Sequence, residues 1–216
     1  MGFHKNVLGF HPSIAVYGQT EKRDFPLILI IGREPNNDIP LRYEVNKYDF
    51  DYSPEERKCA FWNMSFKLIG EQNNLNVREI KQKFIDNNSS FIIFSDSSPQ
   101  TQKNNKNNKI KIRRNIPEEK IKEHIKKILS EDIIKRVELV LLSGIDEKRG
   151  LERNLKCLKE YCTKLGIHYE EIPFLYGSNY KKMKLSDKSK NIIKRISSAW
   201  DNDFLKRLAV LHLIFR

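Results

Sequence analysis

Cysteine is scarce in this chain: of 216 residues, only Cys59, Cys157 and Cys162 carry a thiol. Three scattered thiols cannot build a disulfide framework or ligate a four-cysteine cluster, so they read as reduced side chains in a cytoplasmic protein. Cys157 and Cys162 lie five apart on an amphipathic stretch with His168 beyond. That is too few ligands, too widely set, for a metal site, and buried or half-buried thiols are expected instead. Long apolar runs are also missing. A bilayer span takes about 20 such residues; the C-terminal LAVLHLIFR is too short, and the opening MGFHKNVLGFHPS has no apolar signal region. No membrane partner is expected. There is no phosphate-binding P-loop, no G-x-G-x-x-G after the first strand and no internal repeat, which argues against a dinucleotide site.

Acidic residues are outnumbered. Forty Lys and Arg face 28 Asp and Glu, a net charge of +12. Such a surplus points to a polyanion, most often nucleic acid, although lysine and asparagine rise together here and part of the excess reflects that bias. Hydrophobic residues make up 39% of the chain and gather in discrete runs, enough for one core. The length suits one α/β domain over residues 1–216.

Residues 1–26 predict irregular structure leading inward. Leu27-Ile28-Leu29-Ile30-Ile31 is an unbroken apolar run, expected of a parallel strand buried on both faces. It stops at the turn formers Gly32-Arg33-Glu34-Pro35-Asn36-Asn37-Asp38. After a loop bearing Tyr43, Tyr48, Phe50 and Tyr52, Ser53-Pro54-Glu55-Glu56 reads as a helix start, with the helix running through Phe61-Trp62 to Gly70. A short helix is predicted at 77–86 and a second strand at Phe91–Phe94, ending in Ser95-Asp96-Ser97-Ser98. Residues 100–115, polar, basic and of low complexity, read as a long exposed loop. A helix from Pro117 to about 135, a strand at Val137–Leu142, a helix at about 149–165 stopping at Gly166 and a strand at Tyr169–Phe174 follow. A last helix over 187–213 places Ile192, Ile193, Ile196, Trp200, Phe204 and Leu208 on one face. The alternation predicts a three-layer α/β/α sandwich around a mostly parallel four-stranded sheet. In such sheets function gathers at the strands' carboxyl ends. Here three of those ends carry GREPNND, SDSSPQ and YGSNYKK.

With these motifs in order, the chain resembles the uracil-DNA glycosylase superfamily, nearest its mismatch-specific thymine/uracil branch. Gly32-Arg33-Glu34-Pro35 is similar to the family's first motif, in which the residue before Pro handles the attacking water. Phe61-Trp62 with Gly70 resembles that branch's following helix, Ser95-Asp96 stands where a polar residue reads the base, and Tyr176-Gly177-Ser178 stands at the last motif, before a DNA-wedging loop. The resemblance spans about residues 25–185. It departs in three places: Glu34 replaces the usual Asp or Asn, the His of the last motif is absent or replaced by Tyr176, and the 36–53 loop lacks the usual glycine and histidine. These departures imply a base other than uracil, or loss of activity.

Breaking an N-glycosidic bond passes through an oxocarbenium-like sugar, which a nearby carboxylate stabilises while orienting water. Glu34 is the candidate for that role; in a turn, the same residue also serves as a solvated or helix-capping acid. Arg33 pairs with Glu34 or with a phosphate. Asn36, Asn37 and Ser95 are donors for the departing base, and Asp96 an acceptor suited to an exocyclic amine, with turn capping the plain alternative. A flipped base needs an aromatic wall, for which Tyr43, Tyr48, Phe50 and Tyr52 are candidates, with packing of that loop the plain alternative; Phe61 and Trp62 read as core, and Tyr176, a candidate substrate contact, either replaces the missing His or packs. Ser178, Asn179, Tyr180, Lys181, Lys182, Met183 and Lys184 combine phosphate donors, wedge side chains and cations. Lys111, Arg113 and Arg114 form a second phosphate-contacting stretch or a solvated insertion. The expectation is a monomeric DNA glycosylase needing neither metal nor cofactor, acting on a damaged, mismatched or modified base, such as one in phage DNA. The alternatives are an inactive DNA-binding module of the same fold, and a nucleoside hydrolase or deoxyribosyltransferase.

Overall fold

The five apolar residues that open the core leave no polar face, so the strand they form must be covered from both sides. In the computed structural model, which describes residues 14–32, 60–98, 116–145, 151–173, 175 and 183–214, this is so. The strands are β1 (Ile14–Ala15), β2 (Leu27–Gly32), β3 (Ile92–Asp96), β4 (Val137–Ser143) and β5 (His168–Ile172). The helices are α1 (Ala60–Glu71), α2 (Val77–Asn87), α3 (Glu118–Ser130), α4 (Glu152–Leu165) and α5 (Asp187–Ile214). The sheet order is β1-β3-β2-β4-β5. β2 to β5 are parallel, and only the two-residue β1 runs antiparallel, pairing Ile14 with Ser95.

The chain moves one way from β2 to β3 and the other way from β3 to β4 and β5. Right-handed crossovers therefore put α1 and α2 on one face and α3 and α4 on the other. The packing agrees: α1 lies on α2, α3 on α4, and α5 joins the first face against β2 and β4. The result is a three-layer α/β/α sandwich. On the first face Phe66, Phe84, Phe91, Phe94 and Trp200 pack edge to face or tilted, with centroids 5.1–6.0 Å apart. Each such pair adds about 0.5–1.5 kcal/mol beyond its buried area. Trp200 Nε1 donates to Ser89 Oγ at 3.1 Å, which satisfies the indole inside the core. Lys81 is buried in the same layer, its ammonium donating to Asn63 Oδ1 at 2.7 Å and lying 5.2 Å from the Phe66 centroid.

Helix ends follow local chemistry. Asn76 and Glu79 form a reciprocal capping box at α2. α4 stops at Gly166 with φ +69°, as the sequence predicts. Ser186 caps α5 through Ser189 N–H, while Glu170 of β5 accepts from both the backbone N and the hydroxyl of Ser186 at 2.8 Å. Gly70 is not the last residue of α1 but sits in its final turn. A Cβ there would lie 2.6 Å from the Leu75 carbonyl oxygen, so the helix exit passes too close for any side chain.

Five expectations are corrected. Residues 14–15 pair with β3 instead of being irregular; two residues are too few to show a period. The helix expected to reach 135 breaks at Glu131, whose backbone is extended, and continues as a 3-10 turn over Asp132–Arg136. Adjacent Ile133 and Ile134 are both buried there, and Arg136 donates to the Thr20 and Arg23 carbonyls beneath the sheet. The second strand runs to Asp96, and the fourth is shifted to His168–Ile172. Finally, the apolar face of α5 is buried only at Ile193, Ile196 and Trp200, while Leu208 is exposed.

Candidate functional site

The order of the parallel strands reverses between β2 and β4: from β2 one connection leaves toward β3, while β4 on its other side leads on to β5. Open α/β sheets form a crevice at the carboxyl ends beside such a switch point. Here the strand tips are tied together by main-chain and buried side-chain hydrogen bonds. Ser97 N–H donates to the Gly32 carbonyl at 2.9 Å, fastening the turn after β3 to the tip of β2. Gly144 N–H donates to the Ile172 carbonyl at 2.9 Å, and Leu175 N–H donates to Ser143 Oγ at 3.2 Å, fastening β5 to β4.

Two buried side chains from the α3 and α4 layer complete the frame. His124 Nε2 lies 2.9 Å from the Asp96 carbonyl oxygen; because a carbonyl only accepts, Nε2 carries the hydrogen. Asn154 Nδ2 donates to the Ser97 carbonyl at 2.6 Å, so the first turn of the helix after β4 grips the turn after β3 across the tip of β2. Neither residue stands out by motif. The available signal is phase: His124 falls on the buried stripe with Ile121, Ile125 and Ile128, and Asn154 on that with Cys157, Leu158 and Cys162. A polar side chain in step with a buried stripe needs a fixed partner.

Side-chain alternation then separates two residues that the sequence places together. Phe94 packs edge to face on Phe61 and Phe66 of α1, so Asp96, two residues on, points to the same layer. Asp96 Oδ1 lies 3.1 Å from where a Cβ on Gly32 would stand, and the Phe61 ring edge lies 3.4 Å from that point. The absence of a side chain at Gly32 thus lets a carboxylate and an aromatic edge meet over the tip of β2. Ser95 faces the opposite layer, its hydroxyl buried and without a hydrogen-bond partner among the described residues. Ser95 and Asp96 therefore do not line one pocket, which corrects their reading as a joint base reader. Phe61, read as core, is half-buried and reaches the tip as well as the core.

Glu34, Arg33, Asn36, Asn37, Tyr43, Tyr176, Ser178, Asn179, Tyr180, Lys181, Lys182, Lys111, Arg113 and Arg114 lie outside the described residues. So do the Ser53-Pro54 helix start, the 100–115 segment and the side chain of Trp62. Met183, a wedge candidate, is half-buried and packs against the core, which accounts for it without DNA; Lys184 is exposed. Cys157 and Cys162 are buried free thiols, as expected. Burial pushes the Cys162 thiol up to about 12 and raises that of Cys157. Among the described residues no group of three or more His, Cys, Asp or Glu is placed to hold a metal ion, and no helix is long and apolar enough to cross a membrane. No family model matches the chain, and no curated protein matches it.

Proposed function

We propose that the chain is a DNA glycosylase that hydrolyses the N-glycosidic bond of a damaged, mismatched or modified base flipped out of DNA, acting as a cytoplasmic monomer without metal or cofactor. The observation that carries the reading is the fastening of the β2 and β3 tips beside the switch point, with Asp96 and Phe61 meeting over Gly32 two residues before Glu34. A base held at that corner would bring its sugar toward the chain that leaves β2. In the proposed reaction a water attacks C1′ of the deoxyribose. The C1′–N bond breaks with its electron pair passing to the base nitrogen, and the Glu34 carboxylate takes the water's proton while facing the cationic sugar. The departing base takes up a proton from solvent, and Glu34 releases its own to solvent, which restores the carboxylate. The net charge of +12 supplies affinity for the phosphates.

The test is incubation of the protein with modified, mismatched and phage DNAs, with mass spectrometry of released bases and a count of abasic sites. The expected result is base release that Glu34→Gln abolishes while DNA binding persists. DNA binding with no released base would replace the reading with a binding module. Release from free nucleosides, insensitive to salt, would replace it with a nucleoside hydrolase or transferase.

A further inference from the structure

We infer that Lys81 is a positioning residue for this site: from inside the core it holds the first turn of α1, and with it Phe61, over the tip of β2. The inference rests on the glycosylase reading and adds a residue to its machinery. The starting observation is a lysine on α2 that is 1% exposed. Lysine is almost never fully buried unless its ammonium is partnered, because taking a charge out of water is costly. Methionine, similar in length and flexible, would fill such a place with no ammonium to desolvate. What a charged donor adds is a strong tie to an acceptor. The acceptor is Asn63 Oδ1 on the first turn of α1, 2.7 Å away.

That turn needs a tie. Phe61, Asn63 and Met64 are half-buried, and the first fully buried side chains described in α1 are Ser65 and Phe66. The N–H groups of a first turn have no partner within the helix, so such a turn opens easily where little apolar surface holds it. Three contacts reach it from buried anchors. Ser65 Oγ donates to the Phe61 carbonyl at 2.9 Å. The Phe61 ring meets Phe94 of β3 edge to face, with centroids 6.1 Å apart. Lys81 supplies the third, from a second helix. Its ammonium also lies 5.2 Å from the Phe66 centroid, and Phe66 meets Phe94 with centroids 5.9 Å apart, so the charge sits between the turn and the rings beneath it. Phe61 is the ring whose edge lies 3.4 Å from where a Cβ on Gly32 would stand. Lys81 is too deeply buried to touch DNA, so its effect passes through Asn63 to that edge. A displaced edge misplaces the bound nucleotide, which lowers the rate of the chemical step.

The experiment uses the full chain and labelled DNA duplexes that differ at one target base, uracil, thymine, cytosine, 5-substituted cytosine or adenine, and follows the base that wild type releases fastest. Single-turnover rates are measured against protein concentration for wild type, Asn63→Ala, Lys81→Met and Asn63→Asp, each shown to be folded by circular dichroism and assayed well below its melting midpoint. With protein in excess, a role in folding alone raises the half-saturating concentration and leaves the maximal rate unchanged. A positioning role does the reverse. Asn63→Ala and Lys81→Met are expected to lower the maximal rate at least fivefold, with half-saturation within twofold of wild type. Asn63→Asp, whose carboxylate still accepts from the ammonium, is expected to show a rate closer to wild type than to Asn63→Ala. A fall of less than fivefold for Asn63→Ala or for folded Lys81→Met overturns the inference and leaves the glycosylase standing. So does a half-saturation that moves in place of the maximal rate, or a rate for Asn63→Asp closer to that of Asn63→Ala. Release of no base from any duplex by wild type overturns both. Should Lys81→Met not fold, the two variants at half-buried Asn63 decide.

Discussion

Asn154→Ala probes the frame of the site without touching its surface. The side chain is 3% exposed, and its amide reaches the Ser97 carbonyl at 2.6 Å. Truncation removes a donor from that buried carbonyl, a cost of about 1–3 kcal/mol. The vacated volume in a closely packed layer adds to that, so a total of roughly 2–3 kcal/mol is expected. For a domain of this size each kcal/mol moves Tm by about 2–4 °C, giving a fall of roughly 5–10 °C. In urea the midpoint should drop with m unchanged, because the exposed surface on unfolding is the same. Asn154→Asp sharpens the test. It keeps the shape but sets a carboxylate oxygen against the Ser97 carbonyl, so at neutral pH it should be less stable than Asn154→Ala. Once protonated, the introduced carboxyl would donate as the amide does, so its folded pKa is raised above the unfolded value of about 3.9. That contribution is present below about pH 4 and lost as pH rises through the folded pKa, so the variant's deficit should shrink on acidification. Unfolding midpoints for both variants indistinguishable from wild type would refute the idea that Asn154 braces the strand tips.

Gly32→Ala separates packing from function. The new Cβ would stand 3.1 Å from Asp96 Oδ1 and 3.4 Å from Phe61 Cζ, contacts that both side chains relieve by small shifts. The reduced freedom of the unfolded chain offsets about 0.4–1 kcal/mol of the strain, so melting should barely change while base release falls at least tenfold; retained release would count against the site. Cys162, whose thiol sits at about 12, should resist iodoacetamide at pH 8 in the native state and react once unfolded. Because the folded pKa is the higher one, its contribution is intact below about pH 9 and declines by up to about 1.4 kcal/mol per pH unit above it, a slope that Cys162→Val should remove in urea titrations at several pH values. Replacing Lys111, Arg113 and Arg114 with Gln should make the salt dependence of DNA binding less steep, by up to about 2.7 in log–log slope if each meets a phosphate; an unchanged slope would remove this segment from the DNA interface.

Much of the scaffold is legible because it rests on local patterns. The apolar runs at 27–31 and 137–142 fall within β2 and β4 and cannot be covered by one layer, and Gly166 marks a helix end through its left-handed backbone. What escapes the sequence depends on contacts made at a distance. β1 exists only because β3 offers an edge, and the break at Glu131 follows from Arg136 finding carbonyls 113 and 116 residues away. The site divides in the same manner. Gly32 and Asp96 are visible as turn chemistry after apolar runs, but that Ser95 faces away from Asp96 becomes clear only once β3 is known to extend through 96. His124 and Asn154 bear no motif, since their partners are main-chain carbonyls of a turn and any residue there would present the same group.

The surplus of lysine reaches helices and connections alike: α3 carries four lysines against three glutamates, with Lys122–Glu118 and Lys127–Glu123 paired at 2.7 and 2.8 Å, and α5 carries six Lys or Arg against three Asp. What varies is its sign from one connection to the next. The connection after β3, residues 99–115, holds six Lys or Arg and no acid. The stretch after β5, residues 173–186, holds three lysines and again no acid. Between them in the sheet, the connection that leaves β2, residues 33–59, carries five Lys or Arg against seven Asp or Glu, Glu34 among them. The strand order therefore sends two cationic connections from either side of an acidic one, all from the carboxyl edge. A nucleotide drawn out of DNA presents the same pattern in reverse, with a phosphate on each side of a sugar that becomes positive as its base departs. Under the proposed function, basic connections on either side of one that bears a carboxylate would match both charges at once.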